Sequence, residues 1–225
     1  MSTRTRINGG DKLKLEQRTV SAQSLEVRAE GEARKISGLG IVYNAETRLY
    51  EDLYEVIRPG AATAVLAGEP DIRSAFNHSR DHILGRTKSG TLELEETPEG
   101  VRYTVLPPDA SWARDLMASM ERGDIDGSSF TFGVDPQDEK VTKRDDGTYL
   151  REIFRLSALG EMGPVTAPAY PTTTANVRSA QDIYDSTTAS LRAQDDAVKT
   201  ASQRALELRN RKLNHIIRSE QIEDC

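Results

Sequence analysis

The sequence contains very little cysteine: the only cysteine, Cys225, is the last of 225 residues. A disulfide within the chain is therefore impossible, and a thiol nucleophile in a packed site is not expected. We predict from this that the protein works in a reducing compartment.

Long hydrophobic runs are also absent. No uninterrupted apolar stretch approaches the roughly 20 residues that span a bilayer, and residues 1–10 lack the apolar region of a secretory signal. We therefore expect a soluble, intracellular protein with no membrane partner.

Aromatic residues make up 5% of the chain and charged residues 29%, so part of it is not expected to pack into a core. The formal net charge is −6, which gives no general attraction to nucleic acid. The net charge therefore favours protein substrates.

The patterning divides the chain into four segments. Residues 1–24 are polar and predict a flexible arm, 25–171 a compact domain, 172–189 a linker, and 190–225 a polar helical tail. Within the domain, strands are predicted at 25–29, 35–43, 72–77, 91–95, 101–106, 128–134 and 149–159, and helices at 59–67 and 109–123. Such a mixture predicts an α+β fold, a small and mostly antiparallel β-barrel or a curled sheet, with a few flanking helices.

The tail has a narrow apolar stripe at three-and-four spacing, formed by Leu191, Val198, Ala201, Ala205 and Leu208. This spacing is typical of a weak coiled-coil seam and predicts an association or tethering arm, hence a homo-oligomer. The alternative is a solvated helix with no partner.

Histidines are few, and two of the three lie close together. His78 follows an apolar strand, where a scaffold can hold a side chain at the edge of a cleft, although a surface histidine explains it as well. His78 and His82 have the four-residue spacing of two metal ligands on a helix. Residues 79–81 predict a turn instead, and no further ligand is evident, so the metal site is the second interpretation.

A serine pair provides the second candidate for chemistry. Ser128 and Ser129 follow Gly127 at the start of a predicted strand. Phe130 and Phe132 alternate along this strand and are expected to anchor it in the core. A serine exposed there could meet a base and act as a nucleophile, but a strand-capping serine explains the pattern equally well.

Five sequence blocks, in order over about residues 35–171, resemble the prohead protease family of tailed phages. They are Glu55-Val56-Ile57-Arg58-Pro59-Gly60-Ala61; Asn77-His78 with Leu84-Gly85-Arg86-Thr87; Gly90-Thr91-Leu92-Glu93-Leu94; Arg122-Gly123-Asp124-Ile125 with Gly127-Ser128-Ser129-Phe130-Thr131-Phe132; and Glu161 with Val165-Thr166-Ala167-Pro168-Ala169-Tyr170-Pro171.

The resemblance implies a serine endopeptidase with a fold similar to the herpesvirus assemblin proteases, and it implies no cofactor and no metal. It places the general base on His78 and the nucleophile on Ser129. Ser128 stands where the family usually has methionine, so the nucleophile is ambiguous by one residue, with Phe130 favouring Ser129. Glu161 is the expected third member, with His82 as the alternative.

The resemblance also implies the setting. The expected substrates are the scaffold, the scaffolding extension of the major capsid protein and the protease itself, inside the procapsid in the host cytoplasm. Arg86 is either an aid to an oxyanion hole or half of a structural ion pair. The alternatives are a non-enzymatic capsid-assembly protein that binds scaffold and, less favoured, a metallohydrolase built on His78 and His82.

Overall fold

The computed structural model describes residues 15–21, 25–30, 33–166 and 179–223. The strands are β1 (Glu16–Ser21), β2 (Glu26–Glu30), β3 (Ala33–Val42), β4 (Thr47–Tyr50), β5 (Leu53–Ile57), β6 (Arg73–Ala75), β7 (Ile83–Arg86), β8 (Leu92–Thr97), β9 (Gly100–Val105), β10 (Gly127–Gly133), β11 (Glu139–Lys143), β12 (Tyr149–Ile153) and β13 (Ala158–Val165). The helices are α1 (Thr63–Ala67), α2 (Ser111–Glu121) and α3 (Ala180–Glu223).

The strands form three sheets, with orders β1-β10-β13-β6-β7, β11-β12-β5-β4 and β2-β3-β9-β8. Among the described residues, eight of the strand pairs are antiparallel, and only β12–β5 and β13–β6 are parallel. The predicted α+β class with mostly antiparallel pairing is confirmed.

The predicted closed barrel is wrong. Among the described residues each sheet has two edge strands, such as β1 and β7, whereas closing a barrel pairs every strand on both sides. Period-two alternation reveals where a strand runs and which face it buries, but it carries no information on whether the last strand returns to the first. Closure therefore could not be read from the pattern.

One hydrophobic core joins the three sheets to α2. Its buried members include Ile36, Leu92, Tyr103 and Val105 from the β2-β3-β9-β8 sheet, Phe130, Phe132 and Met162 from the five-stranded sheet, Ile57 and Ile153 from the third, and Leu116, Met117 and Met120 from α2. The core covers the face of β10 that carries Phe130 and Phe132. The side chains that alternate with these two residues therefore point to the opposite face.

Helix α2 ends as its sequence predicts. Gly123, two residues beyond the last helical residue, has φ +80°, and its N–H donates to the carbonyl of Met120. A left-handed residue at this place costs least when it is glycine. The other predicted helix, at 59–67, is shorter than expected and begins at Thr63.

Two described segments differ from the predicted segmentation. Residues 16–21, inside the predicted arm, form β1, and α3 begins at Ala180, inside the predicted linker. Residues 1–14 and 22–24 of the predicted arm, residues 172–178 of the linker, the Ala167 to Pro171 part of the last family block and Cys225 lie outside the described residues.

The chain divides into two compact units, residues 1–183 and 184–225. In the second unit, α3 exposes Val198 and Leu208 by 65% and 57%. No helix within the described ranges is long and apolar enough to cross a membrane.

Candidate active site

His78 lies in a tight turn that follows β6. The turn, Phe76–His78, has two consecutive left-handed residues, Asn77 with φ 52° and His78 with φ 55°. Such backbone is costly for residues with a β-carbon and concentrates at functional sites, although asparagine tolerates it better than most. The Asn77 side chain fixes the turn to the end of β13, because its Oδ1 accepts a hydrogen bond of 2.9 Å from the backbone N–H of Thr166.

Ser129 lies in the middle of β10, between β1 and β13. Alternation along β10 points Ser128 and Ser129 to opposite faces. Ser128 Oγ is buried and lies 2.9 Å from the hydroxyl of Tyr103 in the core. Ser129 is therefore the serine on the face away from the core.

The turn brings His78 over this face. His78 Nε2 lies 2.8 Å from Ser129 Oγ, within hydrogen-bond reach, although 51 residues separate the two in sequence. This is the contact that a general base makes with a serine nucleophile.

Glu161 reaches His78 from β13. In the β10–β13 register Glu161 opposes Thr131 and Gly163 opposes Ser129, so Glu161 shares the face of Ser129. A β-carbon on Gly163 would lie 2.5 Å from the carbonyl oxygen of Ala75, so glycine permits the close approach of β13 to the strand before His78.

The Glu161 carboxylate is near the imidazole but not aligned with it. Its Oε1 lies 3.3 Å from Nδ1 of His78, yet this buried oxygen has no hydrogen-bond partner among the described residues. The distance and the missing bond are compatible if Nδ1 carries no proton or if its N–H does not point at the oxygen. The pair is therefore a close contact and not an oriented hydrogen bond.

A cleft of about 440 Å³ opens beside these groups, lined by His78, Glu161, Arg73 and Arg80 among others. His78 is 16% exposed and Glu161 26%, whereas Ser129 is fully buried. The cleft therefore reaches the imidazole and the carboxylate, but not the serine hydroxyl.

The other candidates lie elsewhere. His82 Nδ1 is 3.1 Å from Ser79 Oγ, and its ring packs edge-on against Trp112. Arg86 pairs with Asp71, and this hydrogen bond holds the pKa of the Asp71 carboxyl below its ordinary value. Within the part of the chain that the structure describes, no group of three His, Cys, Asp or Glu side chains is placed to hold a metal ion.

Strand β1 contributes contacts that the sequence analysis did not anticipate. Thr19 is directly opposite Ser129, and Ser129 Oγ donates a hydrogen bond of 2.9 Å to the backbone carbonyl of Arg18. The side chains of Glu16 and Arg18 lie on the other face, at the edge of the core. The buried face of most strands is apolar, so the charged residues Glu16 and Arg18 did not predict a strand here.

Two of the comparisons with known proteins find matches, one with a family model and one with solved structures. The model of the family described as caudovirus prohead serine protease matches residues 23–187. The solved structure of the bacteriophage T4 capsid assembly protease, gp21, is similar with a TM-score of 0.42 and 10% identity, over 68% of this chain and 98% of that chain. A comparison with curated proteins gives no match.

Proposed function

The chain belongs to the caudovirus prohead serine protease family, and we propose that it is a serine endopeptidase that matures the phage procapsid. Its substrates are the scaffold or the scaffolding extension of the major capsid protein, and the protease itself. The observation that carries the proposal is the 2.8 Å contact between His78 Nε2 and Ser129 Oγ in a chain of this family.

The proposed reaction is acyl transfer. His78 Nε2 takes the proton from Ser129 as Oγ attacks the carbonyl carbon of a peptide bond, and the resulting imidazolium returns a proton to the leaving amine. Water then attacks the acyl-enzyme, and His78 again acts as base. Glu161 would stabilise the positive charge of the imidazolium, which its 3.3 Å separation from Nδ1 supports, and would orient the ring once an N–H···O bond forms.

Two observations favour Ser129 over Ser128. Ser128 lies on the core face of β10 with Tyr103 as its hydroxyl partner. Ser129 lies on the face that His78 and Glu161 share.

The pairing of Arg86 with Asp71 favours a structural role for that arginine.

The proposal is tested by expressing the full chain together with the capsid protein and scaffold of the same phage. Products are identified by mass spectrometry. We expect shortened capsid protein or scaffold, and shortened protease, with the intact chain and none of these products with Ser129→Ala. Equal processing by the Ser129→Ala chain would refute the proposal.

We also propose that α3 associates with the α3 of a second copy. The exposed Val198 and Leu208 belong to the three-and-four stripe, and a coiled-coil partner would bury them. Light scattering on the full chain should give a mass above 24.9 kDa. Leu208→Glu should lower that mass to the monomer value, whereas Glu207→Gln, one residue off the stripe, should not. An intact chain that is monomeric at micromolar concentration would contradict the association.

A further inference from the structure

The edge of β10 that carries the proposed nucleophile is covered by a strand of the same chain. β1 runs antiparallel along β10 from Glu16 opposite Phe132 to Ser21 opposite Gly127. All seven residues of β10 are buried, and Ser129 has no exposed surface. No substrate could reach the hydroxyl while β1 stays in place.

The hydrogen bonds of Ser129 also oppose catalysis. A hydroxyl has one proton, and Ser129 donates it to the carbonyl of Arg18, which has no proton to give. The 2.8 Å contact with His78 is then a hydrogen bond in the tautomer whose Nε2 carries a proton and donates it to Oγ. A general base needs that nitrogen unprotonated, so this arrangement is a resting one.

β1 lies where an extended polypeptide substrate would lie. β13 already pairs with the other edge of β10, so a chain that adds to β10 as a strand must use the edge that β1 occupies. The Arg18 carbonyl oxygen is already 2.9 Å from Ser129 Oγ, as a hydrogen-bond acceptor. The backbone of β1 thus brings a peptide carbonyl to the nucleophile.

Buried ion pairs hold β1 in this position. Arg18 donates two hydrogen bonds to Glu55, at 2.6 and 2.7 Å, and Arg151 donates two to Glu16, at 2.6 and 2.9 Å. Burial alone would lower the pKa of Arg151, but the carboxylates of Glu55 and Glu16 outweigh it and raise the pKa above its ordinary value. Both partners on β1 are therefore held by charges on β5 and β12.

The ion pairs also allow β1 to leave. Arg151 bonds to Glu55 and Glu139 in addition to Glu16, so it keeps two carboxylates when Glu16 is withdrawn. A buried charge that loses every partner is strongly destabilising, whereas here the remaining pairs stay within β5, β11 and β12. Residues 16–21 also precede the residues 23–187 that match the protease family.

We infer that β1 occupies the edge of β10 at which substrate binds as a strand. β1 keeps the protease latent until an extended polypeptide segment displaces it from this edge. This inference rests on the proposed function, because it assigns Ser129 as the group that β1 protects. It adds the site at which substrate binds and the contact that regulates it.

A reversible cross-link tests the inference. Gln17 opposes Thr131 across β1 and β10, and Gln17→Cys with Thr131→Cys in a Cys225→Ser chain should form a disulfide that fixes β1. The readout is the rate at which a fluorophosphonate labels Ser129, before and after reduction. We expect labelling at least tenfold slower in the oxidised protein. Thr142→Cys with Leu150→Cys, which joins β11 to β12, is the control and should show no such change.

A second variant changes the same rate in the opposite direction. Arg18→Ala removes the bonds from β1 to Glu55 and should speed labelling of Ser129 at least tenfold, with thermal unfolding measured to confirm the fold. Arg28→Ala, which removes an exposed pair with Glu26, should leave the rate unchanged.

The outcomes separate the inference from the proposed function. Equal labelling of Ser129 in the oxidised and reduced cross-linked protein would overturn the inference and leave the function standing. Failure to label Ser129 in any form, including the reduced protein and Arg18→Ala, would overturn both.

Discussion

Ser128 and Ser129 are neighbours in β10, but Ser129 Oγ lies 2.8 Å from His78 Nε2 while Ser128 Oγ lies 2.9 Å from the hydroxyl of Tyr103. The alternation of the strand produces this difference, because one hydroxyl faces His78 and Glu161 and the other faces the core. Two residues with the same chemistry therefore have separable roles.

Replacing each serine by alanine should give different results. Ser129→Ala should abolish processing, since loss of a triad nucleophile costs on the order of 10⁴ to 10⁶ in rate. Ser128→Ala should keep a measurable rate and lower the free energy of unfolding by about 1–3 kcal/mol, because it leaves the Tyr103 hydroxyl without its partner. Gel assays and chemical denaturation measure the two effects. An inactive Ser128→Ala beside an active Ser129→Ala would move the nucleophile by one residue.

The two histidines of the turn should also behave differently. His78→Ala should be as inactive as Ser129→Ala, because members of a triad act as a unit. His82→Ala should keep most activity, since its ring contacts Ser79 and Trp112 and not Ser129. Processing should continue in the presence of a chelator. Inhibition by chelator that added zinc reverses would favour the metal interpretation instead.

The backbone of the turn gives a third prediction. Asn77→Ala loses both the tolerance for φ 52° and the acceptor for the Thr166 N–H, so it should lower kcat by roughly 10- to 100-fold, consistent with strain of about 1–3 kcal/mol. Asn77→Gly keeps the backbone freedom and loses only the acceptor, so its kcat should lie between that of Asn77→Ala and that of the intact chain. A positioning role predicts that kcat changes more than KM. Equal rates for the three chains would show that the turn does not depend on Asn77.

The sequence predicted much of the fold because its apolar residues follow regular periods. Phe130 and Phe132 mark β10, and the stripe through Leu116 and Met120 marks α2, as the structure confirms. β1 was missed for the opposite reason: its buried face carries Glu16 and Arg18, which only distant charges can stabilise. Contacts that depend on partners far away in the chain leave no local pattern.

The candidate site shows the same limit. His78 and Ser129 were proposed from a family resemblance, whereas spacing and composition left open, for each, a functional role or that of an ordinary surface or capping residue. What brings them together is the left-handed turn at Asn77 and His78 and the close approach that Gly163 allows. Neither feature has a sequence signal that distinguishes it from a common loop.

Glu161 gives the last prediction. Its Oε1 lies 3.3 Å from His78 Nδ1 without an aligned hydrogen bond, so the carboxylate already contributes charge near the imidazole but does not yet orient the ring. In the transition state the imidazole becomes positively charged, and a nearby carboxylate stabilises that charge.

Glu161→Gln keeps the size of the side chain and removes its charge, so the protein should fold while processing slows by roughly 10²- to 10⁴-fold, less than for loss of the nucleophile. Glu152→Gln is the matched control, because Glu152 is similarly part-buried but lies on β12, in another sheet, and pairs with Arg58. Its processing rate should stay within about twofold of the intact chain, with any loss confined to stability. The processing rates are compared between an intact chain and a Glu161→Gln chain that a fluorophosphonate labels equally fast at Ser129. Equal processing rates would remove Glu161 from the triad and leave His78 and Ser129 as a dyad.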